Sequence, residues 1–252
     1  MLYQEREEYI MQQLQLSSSV TVSGLMEQLQ VSADTIRRAL RQMEQKKLLK
    51  CVRGGACLPE MISQFSNFSG REIVNITRKR QLAKKAVHYI QEGTTVALNG
   101  GTTNTVLAQE LLKIPFPFTV VTNNIAVVSV LSQTNHIEVI VTGGFLNVSE
   151  KSLYGPACSK ELESFHPDIC FLSINAVDPK AWYTDFRFHE IDIIRTLTKR
   201  SKQRVAVMDS GKLGRISKQT VVDNSCIDFI IMDDEVSSEQ KQTYLDQGIT
   251  IL

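Results

Sequence analysis

Long apolar runs are missing from this 252-residue chain: none exceeds four residues, with IAVV at 125–128 and FIIM at 229–232 typical. A membrane-spanning helix needs about 20, so no span and no membrane partner are expected. The first residues, MLYQEREEY, are charged and have no apolar core, which argues against a secretion signal and for a cytoplasmic protein. Cysteine is sparse and odd in number, at 51, 57, 158, 170 and 226, with no Cys-x-x-Cys. That pattern predicts reduced thiols rather than a disulfide framework. The four histidines (88, 136, 166, 189) have no ligand spacing, so no metal is expected. An excess of charge is also absent: 28 Lys+Arg stand against 27 Asp+Glu, a net +1. This excludes a disordered polyelectrolyte and a uniformly basic nucleic-acid coat.

The composition present is globular, with 42% hydrophobic residues, and at ~150 residues per domain the length suits one large domain or two unequal ones. The charge balance hides a local imbalance. Arg37, Arg38, Arg41, Lys46, Lys47, Lys50 and Arg53 are opposed between 37 and 53 only by Glu44, a net +6 that leaves −5 for the rest. A compact basic segment on a mildly acidic chain is the footprint of one DNA-contacting surface, although such a run is also common on a solvated helix face.

Residues 1–58 read as three short helices and a β-ribbon. Tyr3–Gln15 carries Ile10 and Leu14, the serines at 17–19 break it, and Val20–Val22 suffices only for a strand stub. Leu25, Met26 and Leu29 suit a second helix from Ser23, with a turn at Gln30-Val31. Ser32 is a good N-cap for a third helix, Ala33–Gln45, on which Ile36, Leu40 and Met43 form one buried stripe. Leu48–Leu58, broken by Gly54-Gly55, reads as a hairpin wing. The order predicts a winged helix-turn-helix. Asp34, Arg37, Arg38 and Arg41 then sit where a recognition helix enters the major groove, and Arg forks match guanine O6/N7 as well as phosphates. Ser32 and Thr35 are candidate contacts at the helix N-terminus, Arg53 and Gly54 at the wing. A plain surface pairing of Asp34 with Arg38 is the alternative.

Residues 59–76 mix Pro, Ser, Asn and Gly without periodicity and read as a linker. From Thr77 helix and strand alternate: helix Thr77–Gln91, strand Thr95–Leu98, helix Thr102–Leu112. β-rich runs follow at Phe118–Thr122, Ile137–Val141, Ile169–Ile174, Arg204–Met208 and Phe229–Met232, with helical stretches near 124–132, 155–164, 187–200 and 237–246. The expectation is an α/β fold: winged helix-turn-helix over 1–58, linker over 59–76, and a mostly parallel sheet domain with helices on both faces over 77–252.

In such sheets, loops at strand carboxyl ends converge on a ligand crevice. Asn99-Gly100-Gly101-Thr102-Thr103 follows a strand and opens a helix, so its N–H groups and hydroxyls suit a phosphate. An ordinary turn and cap is the alternative. Thr122-Asn123, Gly143-Gly144, Gly155 and Lys212 end or follow other strands, and Lys212 would neutralise the phosphate. Gly211-Lys212 is no Walker loop, since Ala206 stands at the leading glycine.

QVSADTIRRALRQMEQKKLLKCVRGGA, residues 30–56, resembles the N-terminal signature of the DeoR family of bacterial transcriptional regulators. Val31-Ser32, Thr35-Ile36-Arg37-Arg38 and Leu40 match, as does Arg53-Gly54-Gly55-Ala56, with Arg53 where the family usually has His. Ala39 replaces the family's Asp. The family's C-terminal part is similar to ribose-5-phosphate isomerase and the CoA-transferases, and Lys79-x-x-Leu82-Ala83 resembles its opening. The resemblance implies a repressor of a sugar or polyol catabolic operon. It would bind double-stranded operator DNA as a homo-oligomer, dimer or tetramer, under control of a phosphorylated sugar or polyol, with neither cofactor nor catalysis.

The second half departs from the pattern. Asn99-Gly100 stands for Asp-Ser, Ser173–Asp178 for a Gly-x-x-Gly segment, and DSGK at 209–212 for DSSK; Glu190 matches the family's acid, but Ile194 replaces its lysine. A different effector, or an effector site that has degenerated, is therefore an alternative. A sugar-phosphate isomerase-like enzyme is a further one, but it needs a carboxylate base in the segment 174–178, where only Asp178 is acidic.

Overall fold

A computed structural model describes residues 3–17, 19–46, 48–52, 54–57 and 68–252. The chain divides into two compact units, Met1–Val74 and Asn75–Leu252.

In the first unit α1 (Tyr3–Ser17), β1 (Ser19–Thr21), α2 (Val22–Leu29), α3 (Ala33–Gln45), β2 (Lys50–Val52), β3 (Gly55–Cys57) and α4 (Phe68–Ile73) follow one another. Two hydroxyls start the inner helices: Thr21 Oγ1 accepts from Gly24 N at 3.0 Å and Ser32 Oγ from Thr35 N at 3.3 Å. Such caps satisfy N–H groups that have no intrahelical acceptor. Gln30 ends α2 with φ 52, the left-handed turn that swings the chain into α3. Ile10, Leu14, Leu25, Ile36, Ala39, Leu40, Met43, Leu49 and Ala56 form the core. The strands pair antiparallel in the order β1-β3-β2. Glu44 on α3 clips the hairpin to the helix: Oε1 accepts from Cys51 N at 3.0 Å and lies 3.1 Å from Lys50 Nζ. The stretch 59–76, expected as linker, contains α4 and the first residue of the next helix. Phe68 is fully buried and gives that turn of helix an apolar anchor, which a scan for repeating periodicity passes over in six residues.

The second unit runs α5 (Ile76–Ala86), β4 (Thr95–Leu98), α6 (Thr102–Leu111), β5 (Phe118–Thr122), α7 (Ile125–Leu131), β6 (Ile137–Val141), β7 (Phe145–Asn147), β8 (Ser152–Tyr154), α8 (Pro156–Glu163), β9 (Ile169–Leu172), β10 (Ala176–Asp178), β11 (Trp182–Asp185), α9 (Phe188–Arg200), β12 (Gln203–Val207), β13 (Gln219–Val222), β14 (Phe229–Ile231) and α10 (Ser238–Leu245). Six strands form one parallel sheet, β14-β12-β9-β4-β5-β6. Successive strand residues serve opposite faces. Val96, Leu98, Ile169, Phe171, Val205 and Val207 pack with α5, α6 and α7. Ala97, Cys170, Leu172, Ala206 and Met208 pack with α8, α9 and α10. Helices therefore cover both faces. The hairpin β7-β8 and the antiparallel sheet β10-β11-β13 are additions that the sequence reading did not contain. The chain moves outward from β4 to β5 and β6, then returns to place β9 on the other side of β4. That reversal puts the switch point, where open α/β sheets bind ligands, between the carboxyl ends of β4 and β9. No described helix is long and apolar enough to cross a membrane.

Candidate functional site

The α3 stripe of Ile36, Ala39, Leu40 and Met43 faces the core, which leaves Arg37, Arg38 and Arg41 exposed. Asp34 pairs with Arg37 at 3.1 Å rather than with Arg38; such an exposed i, i+3 pair is weak and yields to a stronger acceptor such as phosphate. Ser32 and Thr35 share a hydroxyl–hydroxyl bond of 2.9 Å at the helix start. Thr35 and Arg38 also line a groove of about 680 Å³ with Arg6, Ala39, Gln42, Gln45 and Lys46. Gln42 and Gln45 share that groove with Arg38; a Gln amide matches adenine N6/N7, and the steps of four residues from Arg38 to Gln42 and three from Gln42 to Gln45 were the available signal. Gly54 O accepts from Val22 N at 2.7 Å, which ties the wing tip to the start of α2. Arg53 lies outside the described residues.

In the second unit the loop after β4 meets the loop after β9, as the switch point requires. Asn99 Oδ1 accepts from Ser173 N at 2.7 Å, and Asn104 Nδ2 donates to Asn99 O and Phe171 O. A buried carboxylate occupies the centre. Glu190, at the start of α9 and 1% exposed, accepts at Oε2 from Gly100 N (2.9 Å) and Asn99 Nδ2 (3.4 Å). At Oε1 it accepts from Ser152 Oγ (2.7 Å) and Asn123 Nδ2 (3.1 Å). Beside it, Arg187 forks onto Asp185, with Nη2 2.6 Å from Oδ2 and Nε 2.9 Å from Oδ1, and donates to Gly100 O and Ser173 O.

These partners correct the reading of the two glycines. A Cβ on Gly100 would stand 2.4 Å from Glu190 Oε1, and one on Gly101, at φ +139, 2.5 Å from Ser173 Oγ and 2.9 Å from Arg187 Nη1. The room they leave is taken by side chains of this chain, and Gly100 N faces Glu190 instead of open crevice. Beside them lies the start of α6, whose first N–H groups have no intrahelical acceptor. Thr102 and Thr103 lie buried there, and Thr102 Oγ1 accepts from the buried Lys79 Nζ at 3.1 Å. Lys79 was visible in the sequence only as part of a family motif.

The other expected residues divide. Asn123 reaches the crevice, and its Oδ1 is buried with no donor among the described residues. Thr122 does not offer its hydroxyl, which donates to Leu98 O at 2.6 Å and accepts from Asn124 N at 3.0 Å. Lys212 lies at the crevice with Nζ on Ile174 O at 2.7 Å. Gly143, Gly144 and Gly155 gather at the base of the β7-β8 hairpin beside Glu161, Tyr154, Cys158 and Phe145. Asp185, Arg187, Ser152 and Ser173 were not anticipated, because only the fold brings them together.

Burial sets the titration of this cluster. Desolvation pushes the Glu190 carboxyl up, and Arg187, Ser152 and Asn123 only partly offset it. Burial also presses on Asp185, but the charge and hydrogen bonds of Arg187 outweigh it and hold that carboxyl below its ordinary value. Arg187 itself is held protonated by Asp185 against the cost of its own burial. Among the described residues no group of His, Cys, Asp and Glu is arranged to hold a metal.

Fold and sites together define a two-unit regulator, a winged helix-turn-helix joined to an α/β unit with a polar crevice. Residues 6–61 match the DeoR-like helix-turn-helix domain and residues 74–234 the DeoR C terminal sensor domain. The chain belongs to the DeoR family and is a DNA-binding transcriptional regulator. It is 32% identical to the HTH-type transcriptional regulator GolR of Listeria innocua over 98% of this chain and 97% of that one. It is 30% identical to the HTH-type transcriptional repressor GlcR of Bacillus subtilis (92% and 89%) and 27% to the L-fucose operon activator of Haemophilus influenzae (96% and 96%). Among solved structures, ribose 5-phosphate isomerase A from Methanocaldococcus jannaschii is similar at 16% identity and a TM-score of 0.41 over 55% of each chain.

Proposed function

We propose that this regulator represses a sugar or polyol catabolic operon and that a phosphorylated sugar or polyol, bound in the α/β unit, controls it. The carrying observation is the buried ammonium of Lys79 against Thr102 Oγ1 at the start of α6. A cation held at a helix N-terminus favours a dianion such as a phosphate monoester over a neutral sugar. The unfilled acceptor Asn123 Oδ1 suits a hydroxyl of the same ligand. Repression is the reading supported by the relative named a repressor, and the relative named for an L-fucose operon supports the sugar class. Operators read by helix-turn-helix proteins are usually two-fold, so the acting species is a homo-oligomer, dimer or tetramer, on double-stranded DNA.

A thermal-shift panel of phosphorylated and unphosphorylated sugars and polyols, run beside an operator titration, tests this. The expected result is a shift from one phosphorylated member and none from its unphosphorylated form, with operator affinity falling in its presence. Thr102→Val removes the hydroxyl, and its expected effect is loss of the shift with operator affinity kept. A full panel without any shift sinks the effector reading and leaves a regulator set by its own abundance.

A further inference from the structure

Three residues at the start of α5 tie that helix to two sides of the crevice. Asn75 is the first residue of the second unit. It opens α5 with φ 55 and gives the helix no side-chain cap. Its amide is used elsewhere: Nδ2 donates to Asp209 Oδ1 at 2.8 Å, and the same oxygen accepts from Gly211 N at 3.2 Å. Arg78, 9% exposed, grips Glu235 with Nε at 2.6 Å and with Nη2. The loops at 209–212 and 233–235 follow the adjacent strands β12 and β14, and Ser210 N joins them by donating to Asp233 Oδ2 at 2.6 Å. The next residue of α5, Lys79, reaches the other way to Thr102 Oγ1.

We infer that the first turn of α5 transmits occupancy of the crevice to the point where the chain enters this unit from the DNA-binding unit. The inference rests on the proposed phosphate at the start of α6. It adds the element that feels the phosphate and the residues that give it leverage. Lys79 Nζ donates to the Thr102 hydroxyl, and a phosphate at that point adds a dianion to the groups its ammonium meets. That difference between states is what coupling requires. Lys79 and Asn75 are one helical turn apart, with Lys79 N donating to Asn75 O at 3.0 Å, so a pull on Lys79 is felt at Asn75. The bond to Asp209 makes the response directional, because it fixes one side of the turn to a loop that also carries Lys212.

Hydrogen–deuterium exchange on the full-length protein tests this with inorganic phosphate as probe, against sodium chloride at equal ionic strength. At a phosphate concentration of about ten times its Kd, exchange at 102–105, at 79–82 and at 75–78 is expected to slow up to about tenfold. Asn75→Gly keeps the left-handed start of α5 and deletes the amide that holds Asp209. In that variant the slowing at 102–105 and at 79–82 is expected to persist, because Lys79 still meets the phosphate, while the response at 75–78 falls to the chloride level. Slowing confined to 102–105 and 79–82 in the unsubstituted protein overturns the inference and leaves the phosphate site standing, and so does an Asn75→Gly variant that keeps the response at 75–78. Absence of slowing at all three segments removes the phosphate site, and the coupling with it.

Discussion

Arg187 directs Nε and Nη2 to Asp185 and its two terminal nitrogens to the carbonyls of Gly100 and Ser173. A lysine cannot reproduce this planar fork, and alanine would strand Asp185, which is completely buried. Breaking one side of a buried pair costs about 3–5 kcal/mol. Arg187→Ala is therefore expected to destabilise the second unit by that amount in denaturant titration, and Arg187→Lys to recover only part of it. The two carboxyls beside it titrate in opposite senses. Glu190 is raised above its ordinary 4.5 in the fold, so protonation favours the native state and stability increases as pH falls through the raised value. Asp185 is depressed below 3.8; its stabilisation is complete above 3.8 and is lost as pH falls through the depressed value. Melting temperature followed from pH 7 downward is expected to show a rise set by Glu190 before the acid collapse. Glu190→Gln should abolish that rise relative to the unsubstituted protein, and a rise of equal size in the variant would count against the assignment.

Elements show where local chemistry sufficed. α3 could be bounded in the sequence because Ser32 caps it and the apolar stripe repeats every three to four residues, and both features are present in the fold. Replacing Ser32 by alanine is expected to cost about 0.5–2 kcal/mol. In calorimetry the loss should appear in the transition of the first unit and leave that of the second unmoved. The parallel strands were legible because they are buried on both faces and read as short apolar runs flanked by turn residues. The hairpin β7-β8 and the strands β10, β11 and β13 were not. Each spans only three or four residues, too few for alternation to register, and Lys151 and Trp182 take φ values of 51 and 60 that nothing in their type announces.

For the whole molecule, the N-terminal helix-turn-helix and the parallel α/β sheet after it could be read from element order, while the interior of the crevice could not. In the Asn99-Gly100-Gly101 loop Gly100 N meets Glu190, which could not be foreseen, because Glu190 lies 90 residues further along the chain and only the switch between β4 and β9 brings it there. Function divides along the same line. Arg38→Ala is expected to weaken operator binding by about 1–3 kcal/mol if Arg38 reads a base. The loss should be much smaller on random DNA and leave ligand-induced thermal shifts untouched. Equal losses on both DNAs would make Arg38 a phosphate contact.

Four donors converge on the Glu190 carboxylate from the ends of β4, β5 and the hairpin, and all four precede it in the chain. A ribosome therefore delivers Asn99, Gly100, Asn123 and Ser152 well before the acceptor they share. Burying such a group unpaired costs about 1–3 kcal/mol, so the crevice cannot close as it stands before α9 has been made. The core of the helix-turn-helix, by contrast, is complete by Ala56. A nascent chain paused ahead of residue 190 thus carries the whole helix-turn-helix core beside a crevice that still lacks its acceptor.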